Sequence, residues 1–239
     1  MAKKAVTILL TLTLIACSTV SIYATESTEG TSEQSLNTNE QITEENISTE
    51  IETETEADAE AAKKAEEAEK KAEEAKKKAE AKAAKEEKYK NGLAAYIRKI
   101  NPNVSRAKSK TMAGYFISKG DKYNLDPKVL MAIAQNESTF YTSAKSPYGY
   151  KGLMQTSDAL ARKYGYKPSS LFKANVSIEV GARYLGSMKK KFKTYTKALS
   201  AYAYGEGTVM SGNYSTALAK KMLNTRSQIT KYLERNNYI

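Results

Sequence analysis

Apolar and polar positions divide this 239-residue chain into stretches of different periodicity. Lys3 and Lys4 precede an apolar run from Ala5 to about Ala16, the layout of an export signal and too short by itself for a membrane span. Residues 25–56 are almost all Thr, Ser, Glu, Asn and Gln with isolated Ile. Such a segment cannot bury enough surface to offset its chain entropy, so an acidic disordered tether is expected. Residues 57–90 then change to Ala, Glu and Lys. Ala65, Ala68, Ala72, Ala75 and Ala79 recur at alternating steps of three and four, and Glu66–Lys70, Glu67–Lys71, Glu73–Lys77 and Glu74–Lys78 pair acid and base four apart. Both features favour helix, each pair by only ~0.2–0.5 kcal/mol. Alanine knobs bury little area, so a solvated helical stalk spanning on the order of 45 Å is favoured over an alanine-seam coiled coil.

From residue 91 to 239 the pattern is that of one globular helical domain. Helices are expected over Asn91–Ile100 and Ser105–Tyr123, where Met112, Tyr115, Phe116 and Ile117 recur at helical spacing. Asp126-Pro127 is a strong helix start, an acid at the cap and proline at the first helical position. Val129, Leu130, Ile133 and Ala134 then form one inward face, and Glu137 falls on it. Later helices are expected over Ser157–Tyr164, Val176 to about Lys191, Lys197–Tyr202 and Tyr214 to near Asn236. No alternating strand of useful length occurs, and any β structure should be confined to the loop from Phe140 to Lys151. The fold class is therefore mainly α, with a small loop or β excursion at one place. The domain boundaries are 1–24 export signal, 25–56 tether, 57–90 stalk and 91–239 folded domain.

The charge is unevenly divided. Residues 25–60 carry twelve acids and no Lys or Arg, whereas residues 91–239 carry 25 Lys and Arg against 7 Asp and Glu. The net +11 thus hides an acidic tail and a strongly basic domain, which favours anionic partners through its field. Anionic wall polymers fit it, and no motif for nucleic acid is present, so none is expected as a partner. There is no His and only one Cys, Cys17. Catalytic triads built on His, His-ligated zinc and Cys clusters are excluded, and no metal or other cofactor is expected. Acid–base chemistry must fall to a carboxyl, Tyr or Lys. Cys17 closes Leu14-Ile15-Ala16-Cys17, a lipobox pattern, whereas Ile22-Tyr23-Ala24 suits ordinary signal cleavage. Both routes place the mature chain outside the cytoplasm, as a lipoprotein held through Cys17 or as a secreted or wall-associated protein.

Glu137-Ser138-Thr139-Phe140, then Ser146-Pro147-Tyr148-Gly149, then Gly152-Leu153-Met154-Gln155 put one acid at the end of an apolar helix before a Ser/Pro/Gly loop and a tight turn. Alone, Glu137 would read as a surface acid. Inward at a helix C-terminus it is desolvated and beside the negative dipole end, both of which raise its pKa, while the basic domain pushes the other way. These strings, with Asn175, Gly181-Ala182-Arg183-Tyr184-Leu185 and Ala201-Tyr202-Ala203-Tyr204-Gly205, resemble the lytic transglycosylases of the SLT domain, in the lysozyme-like superfamily. The likeness covers most of 105–223. Ala203 stands where that family usually has Asn.

The resemblance implies an α+β lysozyme-like fold and cleavage of peptidoglycan glycan strands between N-acetylmuramic acid and N-acetylglucosamine. It implies Glu137 as the single catalytic acid and base, and Ser138, Ser146, Met154, Gln155 and Tyr202 as substrate contacts, with Tyr214 as a further cleft tyrosine. A second carboxylate would make the enzyme a hydrolytic muramidase instead, with Asp158 or Glu206 assisting. A non-catalytic wall-binding protein is the remaining reading.

Overall fold

The computed structural model describes the backbone of residues 44–239, and side chains from residue 63 onward except at Ala65. The export signal, Cys17 and the tether as far as residue 43 lie outside the described residues. Contacts divide the chain into two units, 1–60 and 61–239. In the first, the backbone is helical from Glu44, so residues 44–56, expected to lack regular structure, are helix here. Their acidic sequence suits the positive, N-terminal end of a helix.

Helix α1 is Glu44–Ile100. From residue 66 to 88 its side chains are exposed, and the four pairs read from the sequence all form, at 2.6–2.7 Å. Burial begins where the apolar pattern begins, and Leu93 and Ile97 are fully enclosed.

The rest of the second unit is a helical assembly: α2 Arg106–Tyr123, α3 Pro127–Ser138, α4 Asp158–Lys163, α5 Ala174–Phe192, α6 Tyr195–Tyr204, α7 Glu206–Met210 and α8 Ala217–Arg235, with a 3-10 turn at Pro168–Phe172. Caps explain several starts. The Ser105 hydroxyl accepts from the Lys108 N–H, Asp126 from Lys128 ahead of Pro127, and Ser157 from Leu160. No strand forms among the described residues. The loop after α3 contains two isolated bridges, Lys145 with Lys151 and Lys151 with Thr156, so pairing extends five residues beyond the expected limit.

Helix α3 is the centre of the core. Leu130, Met131, Ala132, Ile133 and Ala134 are all fully buried, and a helix enclosed on every side must have neighbours on every side. Helices α2, α5 and α8 supply them. A rigid helix therefore delivers its last turn, with Glu137, to the edge of the core.

Candidate active site

Helix α3 ends abruptly after Ser138. Thr139 and Phe140 are left-handed, at φ +50° and +61°, a conformation that a β-branched or aromatic residue adopts only under constraint. Tertiary contacts supply the constraint. Phe140 is buried edge-on against Phe116 with ring centroids 6.3 Å apart, and the Asn101 amide donates to the Thr139 carbonyl at 2.9 Å. The chain is thereby turned back across the end of α3.

The loop that follows is stitched down at several points. The Ser138 hydroxyl lies 2.9 Å from the Ala134 carbonyl and 2.8 Å from that of Leu153. The Met154 N–H donates to Ser177 Oγ on α5 at 3.0 Å, and the Tyr202 hydroxyl on α6 donates to the Met154 carbonyl at 2.7 Å. Gln155, itself left-handed at φ +44°, donates its amide to the carbonyls of Ala144 and Gly152. Gly152 and Gly181 allow this close packing: a Cβ on Gly152 would meet the Leu171 carbonyl at 1.9 Å, and one on Gly181 the Met154 side chain at 2.8 Å.

Glu137 is partly buried and has no hydrogen bond or ion pair among the described residues. Burial lifts its pKa above the usual carboxylate range, and the Lys221 ammonium on α8 pulls it partway back. The Tyr202 hydroxyl is pushed far above its ordinary value by burial, then by the Glu137 carboxylate and by Tyr184. The Tyr184 ring lies 5.6 Å from that of Tyr202. Both rings line an open groove of about 420 Å³, together with Tyr150, Gln155, Thr156 and Ala203. Glu137 is not itself among the residues that line this groove; it is linked to the groove wall by its electrostatic influence on Tyr202. A second cavity of about 470 Å³ lies among Asn103, Tyr115, Tyr141 and Asn175, and neither Glu137 nor Tyr202 contributes to its wall.

The domain's other buried or partly buried acids are paired. Asp158 binds Lys151 at 2.6 Å, Glu206 binds Lys191, and Asp126 binds Arg226 at 2.8 Å and Lys128 at 3.3 Å. Glu179 is held by Lys119, Lys122 and Tyr123. Burial would raise its pKa, but those three donors outweigh it and bring the carboxyl down to about 2. Asp121 and Glu234 are exposed.

Among the residues expected to touch sugar, Gln155 and Tyr202 meet in the groove. Ser146 lies in the tight turn of the same loop, where its hydroxyl accepts from the Tyr150 N–H at 3.1 Å. Ser138 and Met154 require correction. Met154 is fully enclosed, its carbonyl is taken by Tyr202, and Ser138 is only 9% exposed with both its contacts going to main-chain carbonyls. They position the loop and cannot contact a glycan through their side chains. Tyr214 is partly buried and packs against the core ahead of α8. Thr156, Ser177, Tyr184 and Lys221 were not singled out in the sequence. Only Tyr184, inside the Gly181–Leu185 string, carried a signal that could have found it.

Residues 114–224 match the family described as transglycosylase SLT domain. Solved structures similar to the chain include lytic transglycosylase Slt from Pseudomonas aeruginosa, as an inactive mutant, at 22% identity and TM-score 0.41, covering 52% of this chain and 24% of that one. The 70 kDa soluble lytic transglycosylase of Escherichia coli matches at 22% identity and TM-score 0.43, covering 61% and 29%. A complex of the 70 kDa soluble lytic transglycosylase with bulgecin A gives 23% identity, TM-score 0.43 and the same coverage. The chain therefore spans less than a third of the length of these proteins. The family match lies within the folded domain and covers residues 114–224.

Proposed function

We propose that the domain from 91 to 239 is a peptidoglycan lytic transglycosylase in which Glu137 is the only catalytic carboxyl. One observation carries the reading: Glu137 is the acid with a raised pKa and no ion-pair partner, electrostatically linked to the groove-lining Tyr202, while Asp158 and Glu206 are neutralised by lysines. Protonated Glu137 donates to the glycosidic oxygen as the bond to the N-acetylmuramic acid C1 breaks. The sugar's own N-acetyl group stabilises the cationic centre, as in substrate-assisted glycosidases. The Glu137 carboxylate then removes the C6 hydroxyl proton while that oxygen bonds C1, which closes a 1,6-anhydro ring and restores the acid. Tyr202 keeps the Met154 loop and the Glu137 side of the groove in register. Gln155 and Ser146 orient sugar polar groups.

Pairing of Asp158 and Glu206 weighs against the hydrolytic alternative, which needs a second free carboxylate. The remaining elements fit work on a wall. Lys3, Lys4 and the apolar run direct the chain outside the cytoplasm. Cleavage after Ala24 or lipidation at Cys17 leaves it secreted, wall-associated or anchored, and tether and stalk act as a spacer. The basic domain concentrates on anionic wall polymers.

The test is Glu137→Gln. Proton transfer of this kind contributes ~10²–10⁴-fold, so the variant should retain its thermal unfolding temperature and lose at least a hundredfold in release of muropeptides from isolated peptidoglycan. Mass spectrometry of the wild-type products should show 1,6-anhydro ends. Reducing ends in their place would establish the hydrolase.

A further inference from the structure

The wall of the groove that Tyr202 links to Glu137 carries a polar atom that the reaction above does not use. Thr156 lines it, is 3% exposed, and its Oγ1 has no hydrogen-bond partner among the described residues. The main chain at this position is engaged: the N–H donates to the Lys151 carbonyl at 3.3 Å, and the carbonyl accepts from the Lys151 N–H at 3.1 Å. The hydroxyl alone is left over. Buried polar groups are almost always paired in folded proteins, and an orphan calls for a reason.

Its surroundings give one. Gln155 has both contacts of its amide nitrogen committed to main-chain carbonyls, which leaves its Oε1 as the free end. Tyr150 and Tyr204 line the same groove and remain 45% and 42% exposed. Ala203 adds no polar group to that wall. A hydroxyl that can donate or accept, an amide oxygen that can only accept, and two accessible aromatic rings make a site for a ring with an apolar C–H face and amide and hydroxyl groups at its edge. An N-acetylated pyranose has that chemistry. The volume lies within the range of small-molecule sites.

We propose that Thr156, Tyr150 and Tyr204 form a saccharide subsite for an N-acetylated pyranose of the glycan strand, with Thr156 Oγ1 hydrogen-bonding the sugar and the two rings stacking on it. This rests on the glycan-cleaving reading and adds specificity-determining residues to that site.

The experiment uses the full chain, with the N-acetylglucosamine tetramer as probe by isothermal titration calorimetry and isolated peptidoglycan for turnover. Thr156→Val keeps the shape and removes the hydroxyl. It should weaken tetramer binding about tenfold, the upper end for one hydrogen bond, and raise KM on peptidoglycan similarly, with the loss carried by KM rather than kcat. Its unfolding temperature should equal or exceed that of wild type, because a methyl replaces an unpaired hydroxyl. Tyr204→Ala should weaken tetramer binding by a similar factor, and Glu137→Gln should bind the tetramer as wild type does while releasing no muropeptides. If Thr156→Val is stabilised with KM and tetramer affinity unchanged while wild type still cleaves peptidoglycan, the subsite is overturned and the catalytic reading stands. If wild type neither binds the tetramer nor releases muropeptides, both fall.

Discussion

Replacing Gly152 by Ala should loosen the whole floor of the candidate site. The residue sits at φ +75°, where an L side chain costs about 1–2 kcal/mol. The added Cβ would lie 1.9 Å from the Leu171 carbonyl oxygen and 2.8 Å from Ser177 Oγ. Real contacts of that kind are not closer than 3.0 Å, so loop and 3-10 turn must separate by more than an ångström. Neither is a flexible side-chain tip. Overpacking of this sort costs roughly 1–3 kcal/mol. A displacement of that size also carries the Met154 N–H from Ser177 Oγ, now at 3.0 Å, beyond hydrogen-bonding range, which adds about 1 kcal/mol. The total is about 3–6 kcal/mol, a large share of the roughly 5–15 kcal/mol that holds such a domain together. Thermal unfolding followed by circular dichroism should show a midpoint lowered on the order of 10 °C, with muropeptide release falling at temperatures well below that midpoint. Ser177→Ala, which removes only the hydrogen bond, should lose about 1 kcal/mol. A Gly152→Ala midpoint within about 2 °C of wild type would show that the turn is not seated on Leu171 as described and would refute the reasoning.

Two further outcomes follow from the charges. Lys221→Met removes the cation that lowers the Glu137 pKa, so the alkaline limb of the rate–pH profile should move up, retaining activity to higher pH; a limb that stays put or moves down would contradict the influence of Lys221 on Glu137. Glu179→Gln should lower the unfolding midpoint by a few degrees near neutral pH, since it strips a buried carboxylate from Lys119 and Lys122. A carboxyl depressed to about 2 in the folded state contributes stability that is fully present above its unfolded pKa, ~4.3, and is lost as pH falls through about 2. The gap between variant and wild type should therefore close between pH 5 and pH 2, and a gap that stays constant would show that Glu179 stabilises by packing alone.

Helix positions were legible wherever local chemistry sets them. Ser105, Asp126-Pro127 and Ser157 announce their helices through capping groups carried in the sequence itself. Helix α5 begins at Ala174 with no side-chain cap, which is why periodicity alone placed its start two residues late, at Val176. The 3-10 turn at Pro168–Phe172 and the five residues of α7 are too short to show a period. In the site, Glu137 could be read because its inward face follows from helical spacing. The left-handed Thr139, Phe140 and Gln155 could not, because nothing in those residue types favours that conformation. At Thr139 and Phe140 it is imposed by Asn101 and Phe116, distant in the chain. For the same reason Ser138 and Met154 read as contacts and proved to be fasteners: a motif fixes which residues converge, and only the packing decides which of them face outward.

The sequence left one electrostatic question open, whether burial or a domain of net charge +18 across residues 91–239 would win at Glu137. The structure answers through distance and exposure rather than through total charge. Most of the surplus cations are on the surface, where ionic screening confines their reach to about 8–10 Å. Several are already spent on other acids, as Lys151 is on Asp158 and Lys119 and Lys122 are on Glu179. Only Lys221, itself exposed, acts on Glu137 appreciably, and its effect is smaller than that of burial. A basic domain can therefore attract polyanions without forcing a half-buried acid such as Glu137 to remain ionised. Long-range attraction depends on net charge, whereas proton affinity depends on the few ångströms around the carboxyl, and the two are set by different residues.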